Sequence, residues 1–317
     1  MTIKILSENY LKYRISLGGK FQTHGKYLRA FSRHIGEGTH LDCITTEMCK
    51  SFLYKDQLCG ITNTWFCRYT ALNGMFKWAV TRNHIKINPL PIEKPLKPDY
   101  CKPYIYSTAE LKSLFAACMT YQQGYSKNAP ESTRALLMMT YMLGLRIRET
   151  INLHLSDIDS KNNTILIRKS KFFKSRILPF NDQVKKTITD YLCWRNTLSV
   201  DKKPEALLFL TRTNKPMNHH SISHYFLQIL EEAEITRRDN YPRHPRIHDL
   251  RHTFAVHRLI AWYKNGDDVQ VMLPYLSTYL GHQNLSHTIV YLSMTDDLLF
   301  EASRKFDKYA NQHDKQS

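Results

Sequence analysis

The sequence lacks the long apolar runs that mark membrane proteins. Its longest apolar run, residues 135–145, falls far short of the roughly 20 residues that a membrane-spanning helix needs. Residues 1–20 are polar and charged and do not read as a signal peptide. We therefore expect a cytoplasmic protein without a membrane segment.

Paired cysteines are also missing. The chain has seven cysteines, an odd number, and no two of them form a Cys-x-x-Cys pair. Disulfide frameworks use even numbers of cysteines, and structural zinc sites use closely spaced pairs. The sequence favours neither, and we expect reduced and mostly buried thiols.

Acidic residues are scarce compared with basic ones. Lys and Arg number 45 against 28 Asp and Glu, which gives a formal charge of +17. Residues 161–176 contain six basic side chains and no acid, and residues 237–258 contain six arginines against two aspartates. Such clusters position a phosphate backbone without reading its sequence, so nucleic acid is the natural partner. The positive charge by itself would also be compatible with binding to an anionic membrane, or with a soluble protein that binds no polyanion.

Prolines divide the chain. Five of the twelve lie within residues 88–106, and proline disfavours both helices and central strands. This predicts an extended linker between segments 1–87 and 107–317. The first segment has helix-type apolar spacing and predicts about four short helices, with the clearest pattern at Trp65, Tyr69, Leu72, Met75, Phe76 and Ala79.

The second segment predicts a mainly α protein with a small β-sheet (α+β). Ser107 and Glu110 form a capping box at the start of a helix, and a further helix is predicted over residues 131–143. Strands are predicted at 164–168 and 176–180, and 207–210 is a further candidate strand. An amphipathic helix is predicted over 295–309, with one side formed by Leu298, Leu299, Ala302 and Phe306.

Five short motifs follow one another in this segment. They are Gly-Leu-Arg-x-x-Glu at 144–149, a hairpin-like stretch at 165–180 that ends in Arg-x-x-Pro, His-x-x-Arg at 248–251, Leu-Gly-His at 280–282, and Tyr291 nine positions beyond His282. Together they resemble the tyrosine recombinase family, the phage-integrase-like site-specific recombinases. The resemblance covers the second segment by motif and the first only by size and position.

The resemblance implies a helical core-binding domain in residues 1–87 and a catalytic domain in 107–317 that close on DNA as a clamp. It assigns catalytic roles to Arg146, Lys171, His248, Arg251, His282 and the nucleophile Tyr291, with Glu149 in support. Lys169 and Lys174 lie close enough to Lys171 to be alternatives for its role. Side chains expected to contact DNA are Lys169, Lys174, Arg176, Arg243 and Arg246.

The implied chemistry needs no metal, cofactor or ATP. Tyr291 would attack the scissile phosphate and form a 3′-phosphotyrosyl link, while Arg146 and Arg251 bind its non-bridging oxygens. Lys171 would protonate the departing 5′ oxygen. His248 and His282 would donate hydrogen bonds or assist proton movement at the tyrosine.

Other interpretations exist for single residues. His248 and His252 have the spacing of a zinc-binding His-x-x-x-His, but Asp249 replaces the glutamate of that motif and Arg251 would repel a dication, so we reject a zinc site. Taken alone, Arg146 could be a surface arginine and Tyr291 a core residue. The ordered set of five motifs favours the catalytic interpretation.

Between Arg251 and His282 the chain is several residues longer than the short recombinases that resolve chromosome dimers. It is more similar there to recombinases of transposons, some of which are encoded as adjacent sets. We expect an enzyme that integrates or excises a mobile element and acts on paired double-stranded DNA sites as a homotetramer, alone or with sister recombinases. The alternatives are a type IB topoisomerase and a catalytically silent accessory DNA-binding protein.

Overall fold

A computed structural model describes residues 1–19, 21–55, 61–98, 102–121, 128–168, 175–237, 239, 241, 243–294 and 298–304. The chain forms two compact units, Met1–Cys101 and Lys102–Ser317. Among the described helices, none is both long and apolar enough to cross a bilayer.

The described part of the first unit contains four α-helices, as the sequence predicts. They are α1 (Ile3–Ser16), α2 (Gln22–Ile35), α3 (Thr46–Leu53) and α4 (Asn63–Thr81). The predicted apolar face of α4 is buried along its whole length, from Trp65 to Ala79. Phe31 and Phe76 meet edge to face at the centre of this core, where both are fully buried.

The second unit is mostly helical. Its first helix starts at the capping box of Ser107 and Glu110, as predicted. Near its end, the short helix Ser286–Ile289 is followed directly by a 3₁₀ turn, Val290–Ser293, which carries Tyr291. The described α-helices before residue 295 are α5 (Thr108–Ala117), α6 (Pro130–Met142), α7 (Ile147–Ile151), α8 (Asp182–Asn196), α9 (His219–Glu232), α10 (Ile247–Asn265), α11 (Val269–Leu280) and α12 (Ser286–Ile289).

A three-stranded antiparallel sheet lies in the same unit. Its strands, in spatial order, are β1 (Ile158–Asp159), β2 (Thr164–Ile167) and β3 (Arg176–Pro179). Ile165 pairs with Leu178 and both are buried, while Ile167 pairs with Arg176. The fold is therefore the mainly helical one with a small sheet that the sequence predicts.

The candidate strand at 207–210 is wrong. Leu207 and Leu210 make only isolated bridges, to His154 and Pro216. The buried guanidinium of Arg195 donates to the carbonyls of Leu207 and Leu208. These carbonyls therefore accept hydrogen bonds from a side chain and not from a neighbouring strand.

The C-terminal helix differs from its prediction in one respect. Residues 298–304 are helical, whereas 295–297 and 305–309, including Phe306, lie outside the described residues. Leu298 is fully buried, but Leu299 is 50% exposed. Each helical residue turns about 100° from the last, so Leu298 shares its face with Glu301 and Ala302 and not with Leu299.

Candidate active site

Two helices end on left-handed glycines, and these endings shape the site. Gly144 follows α6 with φ +58°, and Gly281 follows α11 with φ +68°. Glycine adopts this conformation without the penalty that a Cβ brings. Beyond Gly144 the chain becomes extended at Arg146, which is the N-cap of α7. The carbonyl groups at both helix ends are thereby left for side chains to bind.

Three arginines bind three consecutive carbonyls at the end of α11. Arg176 Nε donates to Tyr279 O (2.9 Å), Arg251 Nη2 to Leu280 O (2.6 Å) and Arg146 Nη2 to Gly281 O (3.1 Å). Arg251 also donates from Nη1 to Gly144 O at 2.8 Å. The negative end of the α11 dipole favours cations at this place. Arginines from three separate parts of the sequence thus meet at one helix end.

A single carboxylate, Glu149, connects the arginines. It accepts hydrogen bonds from Arg146 Nη1 (2.8 Å) and from both terminal nitrogens of Arg176 (3.1 and 2.9 Å), and it lies 4.0 Å from Arg251. It also accepts from the backbone N–H of Arg146 at 3.1 Å. These contacts fit the supporting role that the sequence predicts for Glu149.

Arg251 is the most deeply buried of the three, with 1% of its surface exposed. Burial, followed by the positive charge of Arg146, lowers its pKa to about 10. The guanidinium still carries its proton at neutral pH, so the site holds a buried cation.

Tyr291 lies beside these arginines and is itself only 2% exposed. Its hydroxyl is hydrogen-bonded to Nδ1 of His252 at 3.2 Å, and the two rings are 5.5 Å apart. The ring of His282 stacks 6.1 Å from the tyrosine ring, and its Nδ1 is hydrogen-bonded to the Thr288 hydroxyl at 2.8 Å. The phenol therefore sits between two imidazoles.

His248 lies one helical turn before His252 on α10, and their rings meet edge to face at 4.7 Å. The residue keeps an exposed side. Desolvation, followed by the charges of His252 and Arg251, lowers the pKa of His248. Burial, followed by Arg251 and Arg146, lowers the pKa of His282 to about 3. Both imidazoles are neutral at pH 7 in this cationic surrounding.

The structure brings together Arg146, Glu149, His248, Arg251, His282 and Tyr291. Lys171, with its neighbours Lys169 and Lys174, lies outside the described residues. Of the expected DNA contacts, Arg243 is exposed, Arg246 pairs with the buried Asp249 at 2.8 Å, and Arg176 turns inward to Glu149. Their contact with DNA stays a prediction.

Two residues that the motifs did not mark, His252 and Thr288, belong to the site. Thr288 is fully buried against His282. The available signal for His252 was its place directly after Arg251 and four residues after His248, which puts it on the buried face of α10. Chemically, the cluster offers several cationic donors for an anion beside a phenol and neutral imidazoles.

Comparison with known proteins agrees with this arrangement. The phage integrase family matches residues 106–297. The integrase/recombinase y4rE of Sinorhizobium fredii is 31% identical over 307 residues, which cover 94% of each chain. Tyrosine recombinase XerC of Listeria welshimeri is 30% identical over 233 residues, 73% of this chain and 71% of that one.

Solved structures share the fold at low identity. The integrase of transposon Tn1549, in complex with transposon right end DNA, has a TM-score of 0.71 at 15% identity and covers 98% of this chain and 100% of its own. Lambda integrase, as a tetramer bound to a Holliday junction, has a TM-score of 0.68 at 18% identity, with coverage of 94% and 78%.

Proposed function

This chain belongs to the phage integrase family and is a tyrosine-type site-specific DNA recombinase, and on that premise we propose that Tyr291 is its nucleophile. Tyr291 attacks a DNA phosphodiester and forms a 3′-phosphotyrosyl link, and the 5′-hydroxyl of a second strand later reverses the reaction. The energy of the broken bond is kept in the link, so strand exchange needs no nucleotide cofactor.

One observation carries this proposal: the arginine cluster and the phenol occupy the same place. Arg146, Arg176 and Arg251 are fixed to the end of α11, and the phenol of Tyr291 lies among the histidines next to them. Guanidinium groups held in advance can bind the non-bridging oxygens of a phosphate at two points each. They would stabilise the charge of the five-coordinate transition state without reorganising.

We propose the remaining roles from the motif resemblance and, for the described residues, from their contacts. Arg146 and Arg251 bind the phosphate, and Arg176 with Glu149 holds Arg146 in position. His248 and His282 supply further hydrogen bonds at the phosphate and the tyrosine. Lys171 is the proposed acid for the leaving 5′ oxygen. Lys169, Lys174, Arg243 and Arg246 are proposed to contact the DNA backbone.

We further propose that the enzyme works on paired sites as a homotetramer in the cytoplasm, alone or with sister recombinases, and that it integrates or excises a mobile element. The unit Met1–Cys101 would bind the core site and Lys102–Ser317 would cut it. Support comes from the lambda integrase tetramer on a Holliday junction and from the transposon integrase with transposon-end DNA, which have the same fold.

Trapping the covalent intermediate tests the nucleophile. Nicked duplexes from the flanks of the protein's own gene are incubated with the full chain, and denaturing gels are examined for a covalent protein–DNA band. Tyr291→Phe should abolish the band. The matched control is Tyr275→Phe on α11, a tyrosine that is 68% exposed and outside the cluster, which should leave the band unchanged.

Other outcomes would change the assignment. A band that persists in Tyr291→Phe would place the nucleophile elsewhere. Relaxation of supercoiled plasmid that lacks any recombination site would favour topoisomerase activity over paired-site recombination. Retarded DNA without a covalent band in the wild type would instead indicate an accessory DNA-binding protein.

A further inference from the structure

We propose that His252 is a further catalytic residue, which holds the hydroxyl of Tyr291 and accepts its proton during attack on DNA. This inference rests on the proposed role of Tyr291 as nucleophile. The family motif marks His248 and Arg251 on this helix, but the hydrogen bond to the phenol comes from the residue directly after Arg251.

The contact lies within hydrogen-bond distance and is enclosed. His252 Nδ1 and the Tyr291 hydroxyl are 3.2 Å apart, and the two residues are 8% and 2% exposed. A general base must lie within hydrogen-bond reach of the proton that it takes, and this pair meets that requirement.

The position of His252 is fixed by its helix. Most of the first half of α10 is buried, including Asp249, Leu250, Arg251 and Thr253. His252 follows Arg251 directly, and Arg251 is anchored to Gly144 and Leu280. The same rigid backbone therefore places one side chain at the phosphate and the next at the nucleophile. Because Arg251 and His252 are neighbours on one helix, the phosphate and the Tyr291 hydroxyl that they bind are held at a constant separation.

The charge state suits an acceptor. Burial, followed by the charges of Arg246, Arg251 and His282, lowers the pKa of His252 to about 3. His248, whose ring faces it, is also neutral at pH 7. The free imidazole is thus uncharged and can accept a hydrogen bond from the phenol. A DNA phosphate bound at Arg251 adds negative charge nearby, which raises the basicity of His252 when the proton must move.

Atoms and charges balance in the proposed step. A bond forms between the Tyr291 oxygen and phosphorus, the bond between phosphorus and the 5′ oxygen breaks, and the phenolic proton moves to Nδ1 of His252. The departing 5′ oxygen takes a proton from the separate acid proposed above. In the return reaction the 5′-hydroxyl gives its proton back to Lys171 and its oxygen bonds to phosphorus. The bond between phosphorus and the Tyr291 oxygen breaks, and His252 returns its proton to that oxygen.

The test compares single-turnover cleavage of a nicked duplex by the wild type and by His252→Asn. Asparagine keeps a hydrogen-bond acceptor close to the place of Nδ1 but cannot take a proton at neutral pH. We expect cleavage to slow by on the order of 10²-fold with DNA binding unchanged. The matched control is His257→Asn, on the same helix, whose Nδ1 is hydrogen-bonded to the hydroxyl of Tyr141 at 2.9 Å away from the site. It should cleave like the wild type.

Two modified reactants separate proton acceptance from other roles. A duplex with sulfur at the 5′ bridging position needs no acid for departure, so it should not rescue His252→Asn. A fluorinated tyrosine at position 291 has a more acidic phenol and needs less help from a base. It should therefore reduce the rate difference between the wild type and His252→Asn several-fold. The comparison stays valid if His252→Asn is less stable than the wild type, because both proteins carry the same fluorinated residue at position 291.

Three results would overturn the proposal: wild-type cleavage rates in His252→Asn, full rescue by the bridging sulfur, or a defect that the fluorinated tyrosine leaves unchanged. Failure of the proposed function is a different result. It would show as the absence of a covalent band in the wild type, or as a band that survives Tyr291→Phe.

Discussion

Both carboxylate oxygens of Glu149 accept hydrogen bonds from the guanidinium of Arg176, at 3.1 and 2.9 Å. The side chains are only 7% and 13% exposed. Burial alone would raise the pKa of Glu149, but the hydrogen bonds and charges of Arg176 and Arg146 outweigh it and lower the pKa to about 2. The carboxylate is therefore ionised at neutral pH and is the buried negative charge that holds the arginines together without DNA.

Glu149→Gln should destabilise the protein by about 3 kcal/mol, because it leaves buried arginines without their anion. Urea denaturation at pH 7 measures the loss. Glu37→Gln is the control, since the pair of Glu37 with Lys4 is exposed to solvent and should contribute far less to stability. Equal losses in the two variants would contradict the central role of Glu149.

The same variant predicts a pH dependence. A carboxyl with a lowered pKa stabilises the folded state fully above its unfolded value of 4.5, and the contribution is lost as the pH falls towards 2. The stability difference between wild type and Glu149→Gln should be constant from about pH 5 to about pH 8 by this reasoning and should shrink below about pH 4.5. A constant difference down to the acid transition would show that the charge of Glu149 does not matter.

His252 predicts acid sensitivity in a higher window. Its pKa is lowered from 6.5 in the unfolded chain to about 3 in the folded one. The unfolded state therefore binds the proton first, and stability falls as the pH drops below 6.5, by up to about 1.4 kcal/mol per pH unit for this group. In His252→Asn the decline between pH 6.5 and pH 4.5 should be less steep by the same linkage. Identical slopes would contradict a buried neutral imidazole.

Gly144→Ala should be more damaging than other glycine substitutions. A Cβ there would lie 2.4 and 2.8 Å from ring atoms of Phe254, in a backbone with φ +58°. Strain and overpacking together predict a loss of about 3 kcal/mol. Gly266→Ala is the matched control, because it has φ +83° but no atom within 4 Å of the added methyl, so only about 1 kcal/mol is expected. Equal losses would mean that Phe254 moves aside without cost.

Arg195→Leu should destabilise the unit Lys102–Ser317, because its guanidinium binds backbone carbonyls there. Arg195 is 1% exposed and donates to the carbonyls of Asp201, Leu207 and Leu208 at 2.7 to 3.1 Å. The carbonyls of Asp201 and Leu207 would lose this donor, whereas the Leu208 carbonyl keeps a hydrogen bond from the Tyr191 hydroxyl, and a loss of about 2 kcal/mol is expected. The control Arg212→Leu removes an exposed arginine and should change stability by less than about 0.5 kcal/mol. Thermal unfolding of both variants distinguishes the two cases.

Much of the fold could be predicted because the signals are local. The capping box of Ser107, the helix predicted at 131–143 and observed at Pro130–Met142, and strands at Thr164–Ile167 and Arg176–Pro179 depend on neighbouring residues. The strand predicted at 207–210 failed because its carbonyls are bound by Arg195, a contact that no local pattern contains. The two-residue β1 is too short to give a periodic signal.

The site was predictable only as a set of residues. Motif spacing named Arg146, His248, Arg251, His282 and Tyr291, which the structure places together. It could not name the partner of the phenol, because His252 and Tyr291 are 39 residues apart and meet only after α10 and the last 3₁₀ turn pack. The inward turn of Arg176 towards Glu149, 27 residues away, was hidden for the same reason.

The three carbonyls at the end of α11 have a consequence for how this enzyme could diverge. Arg146, Arg176 and Arg251 are placed by hydrogen bonds to Tyr279, Leu280 and Gly281, so their separation does not depend on how many residues join them. A lineage can insert or delete residues between α10 and α11 and keep the cluster intact, provided that α11 returns to the same docking position.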